Sequence, residues 1–179
     1  FGGGIELSMH CDAVAASAES YIGLVEAGVG ILPGGGGTKE FAVRASDAFF
    51  QGDVMIPTII EKFRTIATAA VATSAHEAFN LGYLTAGRDF VVLNKDRAIA
   101  EAKKKVLELA DNYTQPVKKE VTVLGRTGLA ALYVAGNELK LGKYASEHDI
   151  KIAKKIAYVL CGGDLTGMQK VSEQYLLDI

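Results

Sequence analysis

The chain has 179 residues, 49% of them hydrophobic, the size and apolar content of one folded domain with a substantial core. Nineteen basic against twenty-one acidic residues leave a formal net charge of −2, so no whole-protein field favours a nucleic acid or an anionic membrane surface. No apolar run reaches the ~18 residues of a membrane helix, and Cys11 and Cys161 fit neither a disulfide framework nor a zinc spacing, so a cytoplasmic protein with both cysteines buried as apolar side chains is expected.

Read from the start, Phe1-Gly2-Gly3-Gly4 leads into a helix expected over Ile5–Cys11, with Glu6 and His10 one turn apart on one face. A short buried strand is expected at Asp12–Ala16 and another at Tyr21–Leu24, joined by the polar turn Ser17–Ser20. Val25–Leu32 reads as a loop or single helical turn before Pro33. Gly34–Gly37 follows, and Thr38 is the expected N-cap of a helix running toward Arg44.

Beyond Ser46 helical periodicity takes over. Ile60, Phe63, Ile66, Ala67, Ala70 and Val71 give Ile56–Phe79 the spacing of a helix, with Pro57 at its start and Asn80–Gly82 at its end. Phe90–Leu93 is a lone strand candidate. Asp96–Asn112 reads as an amphipathic helix with a solvated basic face at Lys103, Lys104 and Lys105, and helices are expected at Leu129–Leu141 and Ser146–Cys161, the latter with Ser146 as cap and acids in its first turn. The chemistry is sought before residue 45, where the glycines are dense.

Two phosphate-loop readings of those glycines fail. A dinucleotide fingerprint needs a preceding strand, and a P-loop needs Gly-Lys-Ser/Thr, whereas Gly37-Thr38-Lys39 reverses that order. The glycines can instead present bare backbone N–H groups at a helix N-terminus to an oxygen developing negative charge, an oxyanion hole. Such a site needs an acid and a base beside it, and Glu6 and Glu26 are available. No metal site is expected: His10 lies four residues from Glu6, but Cys11 and Asp12 point elsewhere and no third ligand follows. His76 and His148 are isolated and carry no expected role.

The run Gly2-Gly3-Gly4-Ile5-Glu6-Leu7, then Cys11-Asp12, Val25-Glu26 and Pro33-Gly34-Gly35-Gly36-Gly37-Thr38, resembles the central signature of the crotonase (enoyl-CoA hydratase/isomerase) superfamily, with Glu6 and Glu26 twenty positions apart as in its hydratases. It covers about a quarter of the chain. The later stretches Asn94–Arg97, Gly125–Leu129, Ser146–Asp149, Leu160–Asp164 and Val171–Asp178 are similar to the C-terminal crotonase module of bacterial multifunctional 3-hydroxyacyl-CoA dehydrogenases. The resemblance implies an α/β crotonase-like ββα spiral, truncated at its N-terminus and here mostly helical with a few short strands. Residues 1–45 would be the C-terminal half of the catalytic core and 46–179 an expanded helical region.

What the resemblance implies chemically is hydration of trans-2-enoyl-CoA to 3-hydroxyacyl-CoA in fatty-acid β-oxidation. Glu6 and Glu26 would flank the C2=C3 bond and share a water, Gly3 would supply one oxyanion N–H, and the Gly34 N–H would orient a glutamate or the water. The second oxyanion donor, the CoA-binding residues and an NAD-dependent dehydrogenase part are expected upstream of Phe1, so residues 1–179 need no cofactor of their own and are expected to be inactive alone. The acyl-CoA is the expected substrate, with no nucleic-acid or membrane partner. The strands near Val14 and Ile22 are expected to lack neighbours, and the edge they leave would favour homo-oligomers. The rival readings are double-bond isomerisation or other crotonase chemistry, and a non-catalytic helical interaction module.

Overall fold

A computed structural model describes residues 1–179. The first helix, α1 (Gly3–Met9), buries Ile5 and Met9 on one side, four residues apart, and Glu6 with them. It ends two residues sooner than its sequence predicts because His10 Nδ1 turns back to donate to the Glu6 carbonyl at 2.7 Å. Cys11 is exposed, not buried as expected, while Cys161 is fully buried.

The strands near Val14 and Ile22 each have a neighbour within the chain, contrary to expectation. β1 (Ala15–Ser17) begins three residues later than predicted and pairs in parallel with β4 (Phe90–Val92), Ala16 opposite Val91. The shift has a local cause: Asp89, its side chain fully buried and paired with Arg88 at 2.9 Å, accepts the Val14 N–H at 2.9 Å and fixes where the ladder starts. β2 (Ile22–Gly23) pairs antiparallel with β3 (Val71–Ala72). A Cβ on Gly23 would stand 2.8 Å from the Ala70 carbonyl, so only glycine permits this approach.

α2 (Gly37–Asp47) follows Gly36, whose φ of 96° is left-handed. Thr38 is not its cap; it lies in the first turn with its hydroxyl buried and unpartnered. The Glu6 carboxylate caps the helix from thirty residues away in sequence, as described below. From α2, Arg44 reaches the Met9, Gly82 and Tyr83 carbonyls and clamps the end of α1 to the later chain.

The predicted helix over Ile56–Phe79 is two helices. α3 (Met55–Ala67) stops at a turn in which Ala69 has a φ of 50°, β3 follows, and α4 (Ala75–Asn80) starts afresh on Ser74, whose Oγ accepts the Glu77 N–H at 3.1 Å. Glu77 in turn accepts from Thr73, completing a Ser-x-x-Glu start signal that breaks the apolar period.

α5 (Ala98–Ala110) is preceded by a 3-10 turn at Lys95–Arg97 and buries no residue, with Lys103 and Lys104 in solvent. α6 (Gly125–Leu141) and α7 (Glu147–Leu160) form an antiparallel pair, and Ser146 with Asp149 makes a complete capping box at the start of α7. Besides β3, two further strands were not anticipated: β5 (Glu120–Val123) pairs antiparallel with β6 (Gln169–Ser172), directly before the terminal helix α8 (Glu173–Asp178).

The result is a mostly helical α/β fold with three two-stranded sheets. One hydrophobic cluster of 29 residues holds it together, and residues on both sides of position 45 belong to it: Leu24 and Phe41 as well as Phe63, Ile66, Leu132, Ile156 and Leu160. No helix is long and apolar enough to cross a membrane.

Candidate active site

Glu6 sits at the centre of the glycine-rich part. Its place on α1 buries it to 4% exposure, and the loop before α2 folds over it so that alternate N–H groups point at its carboxylate. Gly35 N–H donates to Oε1 and Oε2 at 2.9 and 3.0 Å, and Gly37 N–H to Oε1 at 2.8 Å. The acid thus satisfies orphan donors at the start of α2 and sits at the positive end of its dipole. Cβ atoms on Gly35 and Gly37 would stand 2.6 and 2.9 Å from the carboxylate, which is why the loop there is glycine. Gly34, expected to orient a glutamate or water, makes no hydrogen bond; the donors to Glu6 lie one and three residues further on.

Glu26 comes to the same place from the other side. It opens a 3-10 turn, Glu26–Val29, directly beyond β2. β2 is tied to α1 by the Gly2 N–H, which donates to the Gly23 carbonyl at 3.1 Å. Gly2 has a φ of 57°, and a Cβ there would lie 3.1 Å from Glu26 Oε1. Glu26 Oε2 is buried without a partner. Partial burial, opposed by a bond from its own backbone and reinforced by the nearby Glu6 charge, pushes the Glu26 carboxyl above its ordinary value. The two carboxyls therefore sit in unlike surroundings: Glu6 accepts from two backbone donors, while Glu26 is partly desolvated and its carboxyl is raised.

Gly3 lies on the Glu6 side, next in sequence to the Gly2 that Glu26 approaches. It is exposed, its N–H has no partner within the chain, and a Cβ on it would lie 4.0 Å from Glu6 Oε2. The structure thus brings Gly3, Glu6 and Glu26 together and leaves Gly34 aside. Sequence reasoning missed Gly2, Gly35 and Gly37; the last two turn their N–H groups to Glu6 through a turn in which Gly36 is left-handed, which four consecutive glycines do not announce. The three larger cavities, of about 790, 590 and 450 Å³, are lined by neither glutamate. No three metal-ligating side chains converge anywhere in the chain. His10 bonds the backbone carbonyl of Glu6, not its carboxylate, and lies 3.8 Å from Glu40.

The raised Glu26 carboxyl has a consequence for stability. A carboxyl raised on folding contributes stability below its unfolded value and loses it as pH rises through the folded value. Glu26→Gln is therefore expected to be more stable than the parent at about pH 7, with the gain shrinking as pH falls and vanishing below about 4, where both states come to hold the proton. Urea midpoints across this range measure it; a gain that is constant with pH would remove the desolvated carboxyl from the account.

No family model matches the chain. Over 179 residues it is 41% identical to a Bacillus subtilis protein described as a probable 3-hydroxyacyl-CoA dehydrogenase, an alignment spanning 99% of this chain and 22% of that protein. Over 39 residues it is 50% identical to the mitochondrial methylglutaconyl-CoA hydratases of Mus musculus and Homo sapiens, which is 22% of this chain and 12% of each of theirs. The chain thus spans about a fifth of the length of the first of these relatives. The names of both kinds of relative are those of enzymes of CoA metabolism.

Proposed function

We propose that this chain carries the acid–base half of an enoyl-CoA hydratase site, within a longer protein that also has 3-hydroxyacyl-CoA dehydrogenase activity in fatty-acid β-oxidation. The observation that carries the reading is the approach of Glu26 to Gly2 and of Glu6 to Gly3, adjacent glycines, by two carboxyls in different environments. Water adds across the C2=C3 bond of a trans-2-enoyl thioester. Glu6, the acceptor, takes one proton from the water as its oxygen bonds to C3, and Glu26, the desolvated carboxyl, gives its proton to C2. The Gly3 N–H donates to the thioester oxygen as negative charge gathers there. Substrate and water together become the 3-hydroxyacyl thioester, with Glu6 left protonated and Glu26 ionised. Proton exchange through solvent returns the pair to its starting state.

Two comparisons support the substrate class: the Bacillus subtilis relative is named for a 3-hydroxyacyl-CoA, the product of this step, and the mitochondrial relatives are named as CoA hydratases. The test is incubation of crotonyl-CoA with the full-length protein, following loss of the conjugated thioester and identifying the product. Appearance of 3-hydroxybutyryl-CoA is the expected result. A product with only a shifted double bond would replace hydration by isomerisation, and no turnover of any enoyl-CoA would leave the chain as an interaction module.

A further inference from the structure

The 3-10 turn that presents Glu26 has no buried residue of its own, and its Val29 is 76% exposed. Within the turn only Ala27 packs against the core, so core packing alone holds this carboxylate loosely, although acid–base chemistry needs it held to about half an ångström. Two side chains from distant parts of the sequence grip the backbone on either side of the turn. Before it, the Tyr83 hydroxyl accepts the Leu24 N–H at 3.3 Å and donates to the Ala70 carbonyl at 2.6 Å. After it, His148 Nε2 lies 2.7 Å from the Gly30 carbonyl. A carbonyl oxygen only accepts, so Nε2 carries the proton.

We propose that Tyr83 and His148 are positioning residues for Glu26, fixing the two ends of the turn so that its carboxyl stays against Gly2 and away from solvent. The assignment rests on the hydratase reading for the reaction it serves.

Both anchors are built for the purpose. Tyr83 is fully buried and stands edge-on to Phe41, ring centroids 5.4 Å apart, so its hydroxyl has little freedom. Burial pushes that hydroxyl up to about 12, so it remains a proton donor through the physiological range. The Ala70 carbonyl it grips follows Ala69, whose left-handed φ of 50° is rare for a residue with a side chain, and whose Cβ would meet a Cβ on Gly28 in the turn at 3.4 Å. On the other side, Gly30 has a φ of 82°, and a Cβ there would stand 3.1 Å from His148 Nε2, so glycine lets the ring reach the carbonyl. The charged or titratable groups facing Glu26 are Glu6 from α1 and the Tyr83 hydroxyl; from α7, His148 faces the turn at Gly30.

The test uses Tyr83→Phe, His148→Ala and His148→Gln in the full-length protein. Three quantities are read: kcat and KM for crotonyl-CoA, the pH profile of kcat/KM, and the titration of Glu26 by carboxyl carbon NMR. Tyr83→Phe keeps the ring against Phe41, and His148 is exposed, so the variants fold. Tyr83→Phe and His148→Ala should each lower kcat by ~10-fold with KM within about twofold. Glu26 should titrate closer to an ordinary glutamate as the freed turn lets water in, and the Glu26 limb of the profile should move with it. His148→Gln, whose amide also donates, should recover most of the loss. Unchanged kcat and unchanged Glu26 titration in Tyr83→Phe and His148→Ala would overturn the assignment, and so would a His148→Gln as impaired as His148→Ala. If the parent itself fails to hydrate crotonyl-CoA, the hydratase reading falls while the NMR titration still decides whether the two residues hold Glu26.

Discussion

Glu26→Gln and Glu6→Gln should each lower crotonyl-CoA hydration by the full-length protein by ~10²–10⁴-fold, the usual worth of a positioned acid or base. Both keep the shape of the side chain, so KM should change little. Their stabilities should part company. Glu26→Gln removes a carboxyl that folding desolvates, and the variant gains stability at neutral pH. Glu6→Gln replaces an acceptor-only group by an amide, and its NH₂ must face one of the backbone donors from Gly35 and Gly37 that now share the carboxylate. That loosens the start of α2 and should cost ~1–2 kcal/mol, on the scale of a lost N-cap or an unmet buried hydrogen bond. Two variants equally inactive but moved in opposite directions in a urea titration would separate the catalytic from the structural task of each acid. Either Gln variant hydrating at near the parent rate would remove that glutamate from the acid–base pair.

Glu6 and Glu26 could be picked out together because their spacing, with the glycines at fixed places, resembles a family signature; the structure sets one on a short helix and the other at the start of a 3-10 turn beyond β2. The same local reading failed where a distant residue decides the structure. Thr38 looks like an N-cap by type and position, but the first donors of α2 are met by Glu6, and nothing near Thr38 in sequence announces that. Apolar spacing carried the predicted helix at Ile56–Phe79 straight through Ala69–Ala72, where the chain turns and pairs with β2, although Ser74-Ala75-His76-Glu77 was a readable fresh start. β5 alternates, with Val121 and Val123 each buried to 1% exposure, and could have been found. Its partner could not, since Gln169–Ser172 has one apolar residue and its register with Glu120–Val123 is set by tertiary contact across fifty positions. His148 illustrates the same limit, a lone histidine in sequence whose partner, Gly30, lies 118 residues away.

Gly3→Val tests the oxyanion assignment with the fold held constant. Gly3 is exposed, begins α1 in ordinary helical conformation, and would bring its Cβ no nearer than 4.0 Å to Glu6 Oε2, so a side chain strains nothing in the protein itself. A change in urea stability within about 0.5 kcal/mol is therefore expected, as for other unencumbered surface positions. On the hydratase reading the thioester oxygen accepts the Gly3 N–H, and an isopropyl group on the same residue is expected to crowd that approach. Hydration should fall ~10²-fold, equivalent to about 3 kcal/mol, the scale of one lost oxyanion donor. Gly2→Val is the contrasting variant: with a φ of 57° and a Cβ 3.1 Å from Glu26 Oε1, it strains the backbone and displaces Glu26, so stability and activity should both drop. If Gly3→Val hydrates crotonyl-CoA within about twofold of the parent while remaining folded, no thioester oxygen lies at this N–H, and the charge that develops on the substrate is met elsewhere in the protein.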